Sequence, residues 1–456
     1  MTSRRGFLRT AAGLGLGAVT VGQGMWPGRA HSAFQDYKAL VVVHLNGGCD
    51  THDMLVPTDG AYSDYLQSRP NIAVPRTQLL NLPGTHLGHR MGLNAAMSAL
   101  LPLFERERLG FVVNAGALLT PTTAQDVLNG RATLPPFLYS HPEQTQFVQG
   151  WLGDADPSGW GGRGMEALSA LGAMKAPLVA VDTSDNTLVL GQHSRMVSTG
   201  HQGSRYFGRA DLLDEQYAWT RTLASLARLQ SASPVEAEYA RSFKAVLADA
   251  KEMALAQEIS AEPTGTFETN EIGEKLHFLA KILPYYKSAG AARQIFFTQW
   301  GRFDTHANQR NTDVANANPD LDSQLAELAN ALAALDQSIQ DAGMGPDVAV
   351  LVLSEFGRTL DEAAGLGSDH AWGSHWMVLG QPVAGGRLYG EAFPRLILGG
   401  VDDAHNGQRG YFVPQISSDQ VAADLLTWLG LPASSLTAVL PNVANFARPT
   451  VGFMHG

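Results

Sequence analysis

The chain is nearly free of cysteine. Cys49 is the only one among 456 residues, so no disulfide can form within the chain. Basic residues are also few: 32 lysines and arginines against 43 aspartates and glutamates leave a formal net charge of −11. This balance argues against nucleic acid as a partner, because its phosphates need a basic protein surface. The composition is otherwise ordinary for a globular protein, so packing, with or without a bound metal, must supply the stability.

The sequence has no predicted transmembrane segment either. The apolar run near the N-terminus, Ala11 to Val21, has about ten residues, against the roughly 20 needed to span a bilayer. It follows an arginine pair, Arg4 and Arg5, an order typical of a twin-arginine signal peptide, which we place at residues 1–33. We therefore expect the twin-arginine translocase to export the folded protein to a periplasmic or extracellular location.

About 420 residues follow that segment, a length that one large α/β domain can have. Short apolar runs alternate there with stretches of helical periodicity. The predicted strands are residues 37–45, 109–114, 177–182, 293–299 and 347–353, and the predicted helices are residues 92–107, 211–232, 234–257, 270–288, 320–342 and 416–429. This alternation predicts a three-layer α/β fold, with a mostly parallel central sheet and helices on both faces. We expect a single domain at residues 34–456, with a helix-rich insertion at about residues 183–290.

Polar residues follow three of the predicted strands. Ligands collect outside the carboxyl ends of the strands in such sheets, so these residues are candidates for a site. The candidates at these strand ends that carry carboxylate or imidazole groups are Asp50, Asp304 and His306. A further segment, residues 367–375, adds Asp369, His370 and His375. Such oxygen and nitrogen donors predict a divalent metal, zinc first, with manganese, iron or calcium as alternatives. Asp369 and His370 are adjacent, so they share one metal only if their loop curls.

Several further residues are candidates for chemistry. Ser140 and Glu143 have the spacing of a capping box, which is the favoured reading, although a hydroxyl at a helix start could also be a nucleophile. Thr51, at the end of the first strand, is a second candidate nucleophile. Arg358 either clamps an anion or forms a surface salt bridge. Three roles remain possible for Glu355: a metal ligand, a base beside the metal ligands, or a carboxylate at a helix start.

Seven motifs together resemble one known family. They are LNGGCD at residues 45–50, VNAG at 113–116, PTT at 121–123, SH at 140–141, FDTH at 303–306, SEFGRT at 354–359 and SDHAWG at 368–373. In this combination the chain resembles the domain of unknown function numbered fifteen hundred and one, over nearly its whole length after the signal. That family is typically exported by the twin-arginine route and is placed among the relatives of alkaline phosphatase and the sulfatases. The resemblance therefore implies an alkaline-phosphatase-like fold.

The resemblance also implies a more specific site. Enzymes of that superfamily bind one or two divalent metals at the strand ends, and a Thr, a Ser or a modified Cys attacks phosphorus or sulfur. The ligands implied are Asp50 from the first strand, Asp369 and His370 completing one metal site, and Asp304, His306 and His375 forming the other. Two departures are visible. The phosphatases place three residues between the aspartate and the histidine of the second site, whereas Thr305 alone separates them here. The sulfatase pattern Cys-x-Pro-Ser-Arg is absent, so no formylglycine nucleophile is expected.

Three functions are consistent with the sequence. The first is an exported metal-dependent hydrolase of a phosphate or related anionic ester, with Arg358 holding the anion and Ser140 or Thr51 attacking it. The second is a non-catalytic exported protein that binds metal or assembles with an exported protein partner, which the absence of a clear nucleophile motif favours. The third is a metal-dependent enzyme of another class, such as an oxidative enzyme that uses Fe²⁺. The metal content of the exported protein would separate them.

Overall fold

The structure, a computed structural model, describes residues 34, 36–173, 177–183, 185–194, 196–202, 218–310 and 320–455. The signal peptide predicted at residues 1–33 and the first part of the helix predicted at residues 211–232 lie outside these ranges. From Phe34 onward the chain forms one compact unit.

The strand β1 (Lys38–Leu45) lies in the middle of the central sheet, and its residues after Lys38 are all buried. Its side chains alternate between two hydrophobic clusters, with Val41 and Val43 in one and Leu40 and Val42 in the other. A strand that is apolar on both faces has to be covered on both sides, as in α/β proteins. The sequence of β1 therefore requires layers of helix above and below the sheet.

Nine strands of the described residues form the central sheet, and three more form a small antiparallel sheet. The strands after β1 are β2 (Leu55–Pro57), β3 (Leu79–Asn81), β4 (Met91–Asn94), β5 (Leu109–Gly116), β6 (Leu178–Val181), β7 (Met196–Thr199), β8 (Arg293–Trp300), β9 (Val348–Ser354), β10 (Ser374–Leu379), β11 (Leu388–Tyr389) and β12 (Ile416–Ser417). The central order is β11-β5-β10-β9-β1-β8-β6-β7, and β12 pairs with β5. Only β10 runs antiparallel to its described neighbours, β5 and β9. The prediction of a mostly parallel sheet is confirmed.

Helices cover both faces of this sheet. The described α-helices are α1 (Tyr62–Ser68), α2 (Leu101–Glu105), α3 (Ala124–Leu128), α4 (His141–Val148), α5 (Trp160–Ala170), α6 (Ala218–Ala227), α7 (Pro234–Ile259), α8 (Glu271–Ser288), α9 (Leu321–Asp341), α10 (Ser418–Trp428) and α11 (Ala433–Val439). Helices α2, α7, α8 and α9 bury side chains in the cluster that contains Val41, whereas α4, α5, α10 and α11 bury theirs in the cluster that contains Leu40. The predicted three-layer architecture is confirmed. Among the described helices, none is both long enough and apolar enough to cross a membrane.

Some elements differ from the prediction. Residues 92–107 begin as β4, because Gly92 pairs in an antiparallel ladder, and α2 begins only at Leu101. Residues 416–429 begin as β12, and Ser417 then caps α10. The sequence did not predict β10, because its first residues, Ser374 and His375, have the polarity of a loop. The helix-rich segment contributes β7 to the sheet and α8 to the core, so these two elements are part of the main body.

The carboxyl ends of three parallel strands lie side by side. Leu45 at the end of β1 pairs with Trp300 of β8 and with Ser354 of β9. The loops that follow these strands therefore meet at one edge of the sheet, as expected for a mostly parallel sheet. This edge carries most of the candidate site residues.

Candidate metal site

Four potential metal ligands from three parts of the sequence meet at this edge. His141 is the first residue of α4, Asp304 and His306 follow β8, and His370 lies in the loop before β10. Each is partly exposed, since the side chain of His370 is 24% accessible and that of Asp304 is 43% accessible. The ligands are thus held by the fold but remain open to an incoming ion or substrate.

His141, Asp304 and His370 form the first group. The Nε2 atoms of His141 and His370 lie 3.1 Å apart, and Asp304 Oδ1 lies 3.5 Å from the first and 3.3 Å from the second. A tetrahedral zinc ion with bonds of about 2.0–2.1 Å holds its ligand atoms about 3.3 Å apart. The three atoms therefore have the spacing of three corners of a zinc tetrahedron.

The hydrogen bonds of the two imidazoles fix which nitrogen faces the group. His141 Nδ1 lies 2.7 Å from a carboxylate oxygen of Glu355, and His370 Nδ1 lies 2.9 Å from the carbonyl oxygen of Tyr139. Both partners only accept hydrogen bonds, so we assign the ring proton to Nδ1 in each case. The lone pairs at the two Nε2 atoms then face each other. Two facing lone pairs at 3.1 Å require a cation between them, either a proton or a metal ion.

Glu355 is the carboxylate that orients His141. It is 2% exposed and also accepts hydrogen bonds from the backbone N–H of Gly47 and from His44 Nε2, at 2.8 and 3.1 Å. Burial alone would raise its pKa, but the hydrogen bonds from His141 and His44 hold the pKa well below its usual range. Glu355 is therefore an ionised, buried carboxylate, and carboxylates of this kind commonly orient histidines that bind metals.

The same arrangement makes His141 basic when no metal is bound. Burial lowers its pKa, but the hydrogen bonds to Asp304 and Glu355 outweigh burial and raise the pKa to about 9. The carboxylates that attract this proton would also attract a divalent cation. The local charge thus agrees with the geometry.

His306, Asp369 and His370 form a second group that overlaps the first. His306 Nδ1 lies 3.6 Å from Asp369 Oδ1, and His306 Nε2 lies 2.9 Å from Asp304 Oδ1. Thr305 alone separates Asp304 from His306, yet both reach the same point. His370 has one free lone pair, at Nε2, because its Nδ1 donates to Tyr139. His306 Nε2 also lies 3.1 Å from His370 Nε2, the same distance as His141 Nε2. The two groups therefore share one centre, at His370 Nε2.

Arg358 lies beneath Asp304 and is 1% exposed. Its guanidinium donates to the carbonyl oxygens of Gly47, Gly48, Phe303 and Ser368 and to Asp304 Oδ1. All three guanidinium nitrogens are therefore engaged, which does not support the predicted role as an anion clamp. Burial would raise the pKa of Asp304, but hydrogen bonds from His141, His370 and Arg358 lower it strongly. Arg358 instead fixes Asp304 in its ionised form.

Asp50 lies apart from this group, in a buried ionic network. Its Oδ2 accepts hydrogen bonds from Arg69 at 3.0 Å and from Gln309 at 2.7 Å, and Arg69 also binds Asp53 at 2.6 Å. Arg69 donates further to the carbonyl oxygens of Thr359 and Leu360. This network ties together the loops after β1, β8 and β9. The structure thus places Asp50 as a support for the site loops, away from the two ligand groups.

His375 and Thr51 are also placed away from the ligand groups. His375 is a buried residue of β10 whose Nδ1 accepts a hydrogen bond from the backbone N–H of Asn114 at 3.0 Å. Burial and the nearby His52 lower its pKa, so it is neutral. Thr51 is 2% exposed, and its Oγ1 accepts the backbone N–H of His375 at 2.8 Å. These contacts hold β10 against the loop after β1 and leave the Thr51 hydroxyl inside the protein.

Ser140 is the N-cap residue of α4, as predicted, but its hydroxyl does not cap the backbone. The hydroxyl donates to the carboxylate of Glu143 instead. The capping box is therefore incomplete. A serine nucleophile needs a base within hydrogen-bonding distance and a reacting atom in front of it. Ser140 has a carboxylate partner, but no contact joins its hydroxyl to the ligand groups among the described residues.

Two residues of this site had no assigned role in the sequence prediction. His141 appeared only as the neighbour of Ser140, and its position at the helix start indicated a cap more than a ligand. Glu355 was one of three open alternatives. The only sequence signals for these residues were the SH and SEFGRT motifs. The motifs could not show that His141 and Glu355, 214 positions apart in the sequence, are in contact.

Two cavities lie beside the ligand groups. One, of about 370 Å³, is lined by His141, Asp304 and Glu355 among others. The other, of about 600 Å³, extends over the ends of β6 and β8 towards α8. Both volumes fall within the range of roughly 300–1,000 Å³ typical of small-molecule sites.

These features define a three-layer α/β protein with a His/Asp cluster at the carboxyl edge of its sheet. Residues 37–396 match the family described as "Protein of unknown function (DUF1501)". Because this match covers most of the chain, the protein belongs to that family. No curated protein matches the sequence.

Several solved structures are similar at low scores. The zinc complex of the C-terminal periplasmic domain of EptC from Escherichia coli is 10% identical, with a TM-score of 0.30 and 76% of each chain covered. A phosphonate monoester hydrolase from Silicibacter pomeroyi is 7% identical, with a TM-score of 0.31, covering 86% of this chain and 73% of that one. The soluble domain of lipooligosaccharide phosphoethanolamine transferase A from Neisseria meningitidis is 9% identical, with a TM-score of 0.31, covering 93% and 96%. At these scores the matches carry no weight for the activity of this chain.

Proposed function

We propose that the protein is an exported metal-dependent hydrolase acting on a phosphate or related anionic ester. The observation that carries the proposal is the pair of facing Nε2 atoms of His141 and His370, 3.1 Å apart with Asp304 Oδ1 beside them. Two imidazoles and one carboxylate form a ligand set typical of catalytic zinc sites, which keep one position open for water or substrate. The donor set and its spacing therefore fit zinc.

The chain's own residues hold this ligand set in place. A divalent ion there would polarise the ester oxygens and lower the pKa of a water molecule. Glu355 fixes the ring of His141, the Tyr139 carbonyl fixes that of His370, and Arg358 fixes the carboxylate of Asp304. Such outer contacts reduce the reorganisation needed when ion and substrate bind. The adjacent cavity leaves space for a small ester.

We infer that water, and not a side-chain hydroxyl, attacks the ester. The hydroxyl of Ser140 donates to Glu143, and that of Thr51 is buried against β10. Among the described residues, no hydrogen bond joins either hydroxyl to the ligand groups. Both residues thus contribute to the structure around the site, in this proposal, and a hydrolytic water supplies the attacking oxygen.

Elemental analysis and turnover test the proposal together. Protein purified after export should carry about one zinc ion per chain. It should hydrolyse at least one class among phosphate monoesters, phosphate diesters and sulfate esters. A chelator should abolish this turnover, and added zinc should restore it. Protein that stays metal-free after incubation with zinc would contradict the proposal.

A non-catalytic metal-binding role is the second candidate. It is favoured by the engagement of both hydroxyls, Ser140 and Thr51, in contacts away from the ligand groups. Zinc-loaded protein without turnover on all three ester classes would select this role. Iron in the exported protein would instead indicate the oxidative alternative.

Export by the twin-arginine translocase is part of the proposal. Its support is the arginine pair at residues 4 and 5 ahead of a short apolar run. Changing Arg4 and Arg5 together to lysine should leave the precursor in the cytoplasm. Normal delivery of this double variant would contradict export by that route.

A further inference from the structure

The two cavities share two lining residues, both of which carry amide side chains. Asn46, after β1, and Gln299, near the end of β8, line both the cavity at the ligand groups and the larger one beside it. A molecule bound in both cavities has to pass these two residues. If the anionic group of an ester is held at the ligand groups, its alcohol part can extend past Asn46 and Gln299 into the larger cavity.

Gln299 has a fixed orientation. It is 4% exposed, and its Oε1 accepts hydrogen bonds from the Thr183 hydroxyl at 2.5 Å and from the backbone N–H of Asp185 at 3.4 Å. A backbone N–H only donates, so the oxygen of the amide faces Asp185 and the nitrogen faces the opposite way. Among the described residues, no hydrogen-bond partner is found for this nitrogen. Gln299 thus presents an N–H₂ donor to the cavities that it lines.

Lys275 lines the larger cavity but is not available to bind a second anion. Lys275 is 2% exposed, and its ammonium donates to Glu271 at 2.7 Å and to the carbonyl oxygens of Gln299 and Asp182 at 2.7 and 3.3 Å. These three bonds use its three donors. The described wall also carries three carboxylates, those of Asp182, Glu271 and Glu327, against one further cation, Arg302, so its charge does not favour a second anion.

We propose that the larger cavity binds the alcohol part of the ester and that this alcohol is neutral and polyhydroxylated, as in a sugar. A hydroxyl group can accept from the Gln299 amide and donate to Glu327, so it satisfies both kinds of group on the wall. An apolar alcohol would leave the Gln299 nitrogen unpaired, and a site built to bind hydroxyls rejects analogues that lack them. This inference rests on the proposed function, because it takes the anionic group to be held at the ligand groups.

Competition binding to the zinc-loaded full-length protein tests the inference. The probes are inorganic phosphate and two matched pairs of esters: glucose 6-phosphate with phenyl phosphate, and glucose 6-sulfate with phenyl sulfate. The sugar ester should bind about tenfold or more tightly than its phenyl counterpart in at least one pair. Gln299→Met should remove this preference. Gln299→Glu keeps the oxygen that Thr183 and Asp185 need but removes the donor, so it should remove the preference as well. Gln125→Met, on an exposed helix, is the matched control and should retain it.

The outcomes separate this inference from the proposed function. Binding of phosphate without any preference for the sugar ester would overturn the inference alone. A preference that survives in both Gln299 variants, with melting temperatures confirming that they fold, would also overturn it. Failure of zinc and of every anionic probe to bind would overturn the proposed function and the inference with it.

Discussion

Glu355 lies 2.7 Å from His141, carboxylate oxygen to Nδ1, although the two residues are 214 positions apart in the sequence. The carboxylate is buried, whereas the imidazole is partly exposed at the site. The pair therefore connects the interior of the sheet to the proposed metal ligands. His44, in the middle of the sheet, binds the other oxygen of the same carboxylate and extends this connection into the core.

Glu355→Gln should weaken zinc binding by about 10- to 100-fold, the usual effect of removing a carboxylate that orients a histidine ligand. The amide can present its NH₂ group to His141, which would turn the ring or change its tautomer. Isothermal titration with a zinc buffer measures the affinity. Glu258→Gln, at an exposed position, is the matched control and should bind zinc as the wild type does. Equal affinities for Glu355→Gln and wild type would contradict the orienting role.

The sequence predicted the sheet well, and also the edge at which candidate site residues gather, for a physical reason. Buried parallel strands such as β1, β8 and β9 are continuous apolar runs, and the residues that follow them gather at one edge. Asp304 and His306 were predicted in this way, whereas His370 was predicted from the separate polar segment at residues 367–375. The prediction of metal ligands was less successful where a residue's surroundings depend on packing across the sheet. His375 is polar and was predicted in a loop, but it lies in the antiparallel strand β10.

Ligand variants should sort the predicted metal residues into two classes. His370→Ala and Asp304→Ala should each lower bound zinc well below one ion per chain. Both should also lose the thermal stabilisation that zinc gives to the wild type, because an ion that binds only the folded state stabilises it by mass action. Elemental analysis and melting curves with and without zinc provide the two measurements.

His375→Ala is the contrasting variant. It should keep its zinc and its zinc-induced rise in melting temperature, because the residue lies in β10 outside both ligand groups. It should nevertheless cost roughly 1–3 kcal/mol of stability, since the buried N–H of Asn114 loses its acceptor. Loss of zinc in a folded His375→Ala protein would show that the second ligand group implied by the family resemblance is the better description.

The site residues also show why a ligand list could not be completed from sequence. Asp50 and Asp304 both follow a strand of the same sheet and have the same side chain. Asp50 faces Arg69 and Gln309 inside the protein, whereas Asp304 faces the histidines. That difference depends on which way each loop turns after its strand, and no local pattern encodes it.

Asp419 in α10 should make stability depend on pH independently of any metal. Burial raises its pKa to about 6, despite a hydrogen bond from Asn442 that lowers it. Between about pH 4 and pH 6 the folded state therefore holds a proton that the unfolded state has released, so stability falls as pH rises through this range. Asp419→Asn should remove this slope and raise the unfolding free energy at pH 7 by about 2 kcal/mol.

Urea unfolding at several pH values measures the effect of Asp419→Asn. The exposed Asp154→Asn provides the matched control and should follow the wild-type curve. A variant curve parallel to the wild type between pH 4 and pH 7 would show that Asp419 ionises normally in the folded protein.

Ser140→Ala distinguishes a hydrolytic water from a serine nucleophile. If water attacks, the variant should keep its zinc and turn over an activated ester within about twofold of the wild type, because no covalent step is lost. Its stability should fall by about 0.5 kcal/mol, the low end for an N-cap, since the hydroxyl binds Glu143 and not the helix backbone. Ser233→Ala is the matched control, because that N-cap hydroxyl does bind the backbone of its helix and should cost more. Turnover abolished in Ser140→Ala with zinc retained would instead identify Ser140 as the attacking group, and would require its hydroxyl to turn from Glu143 towards the ligands when substrate binds.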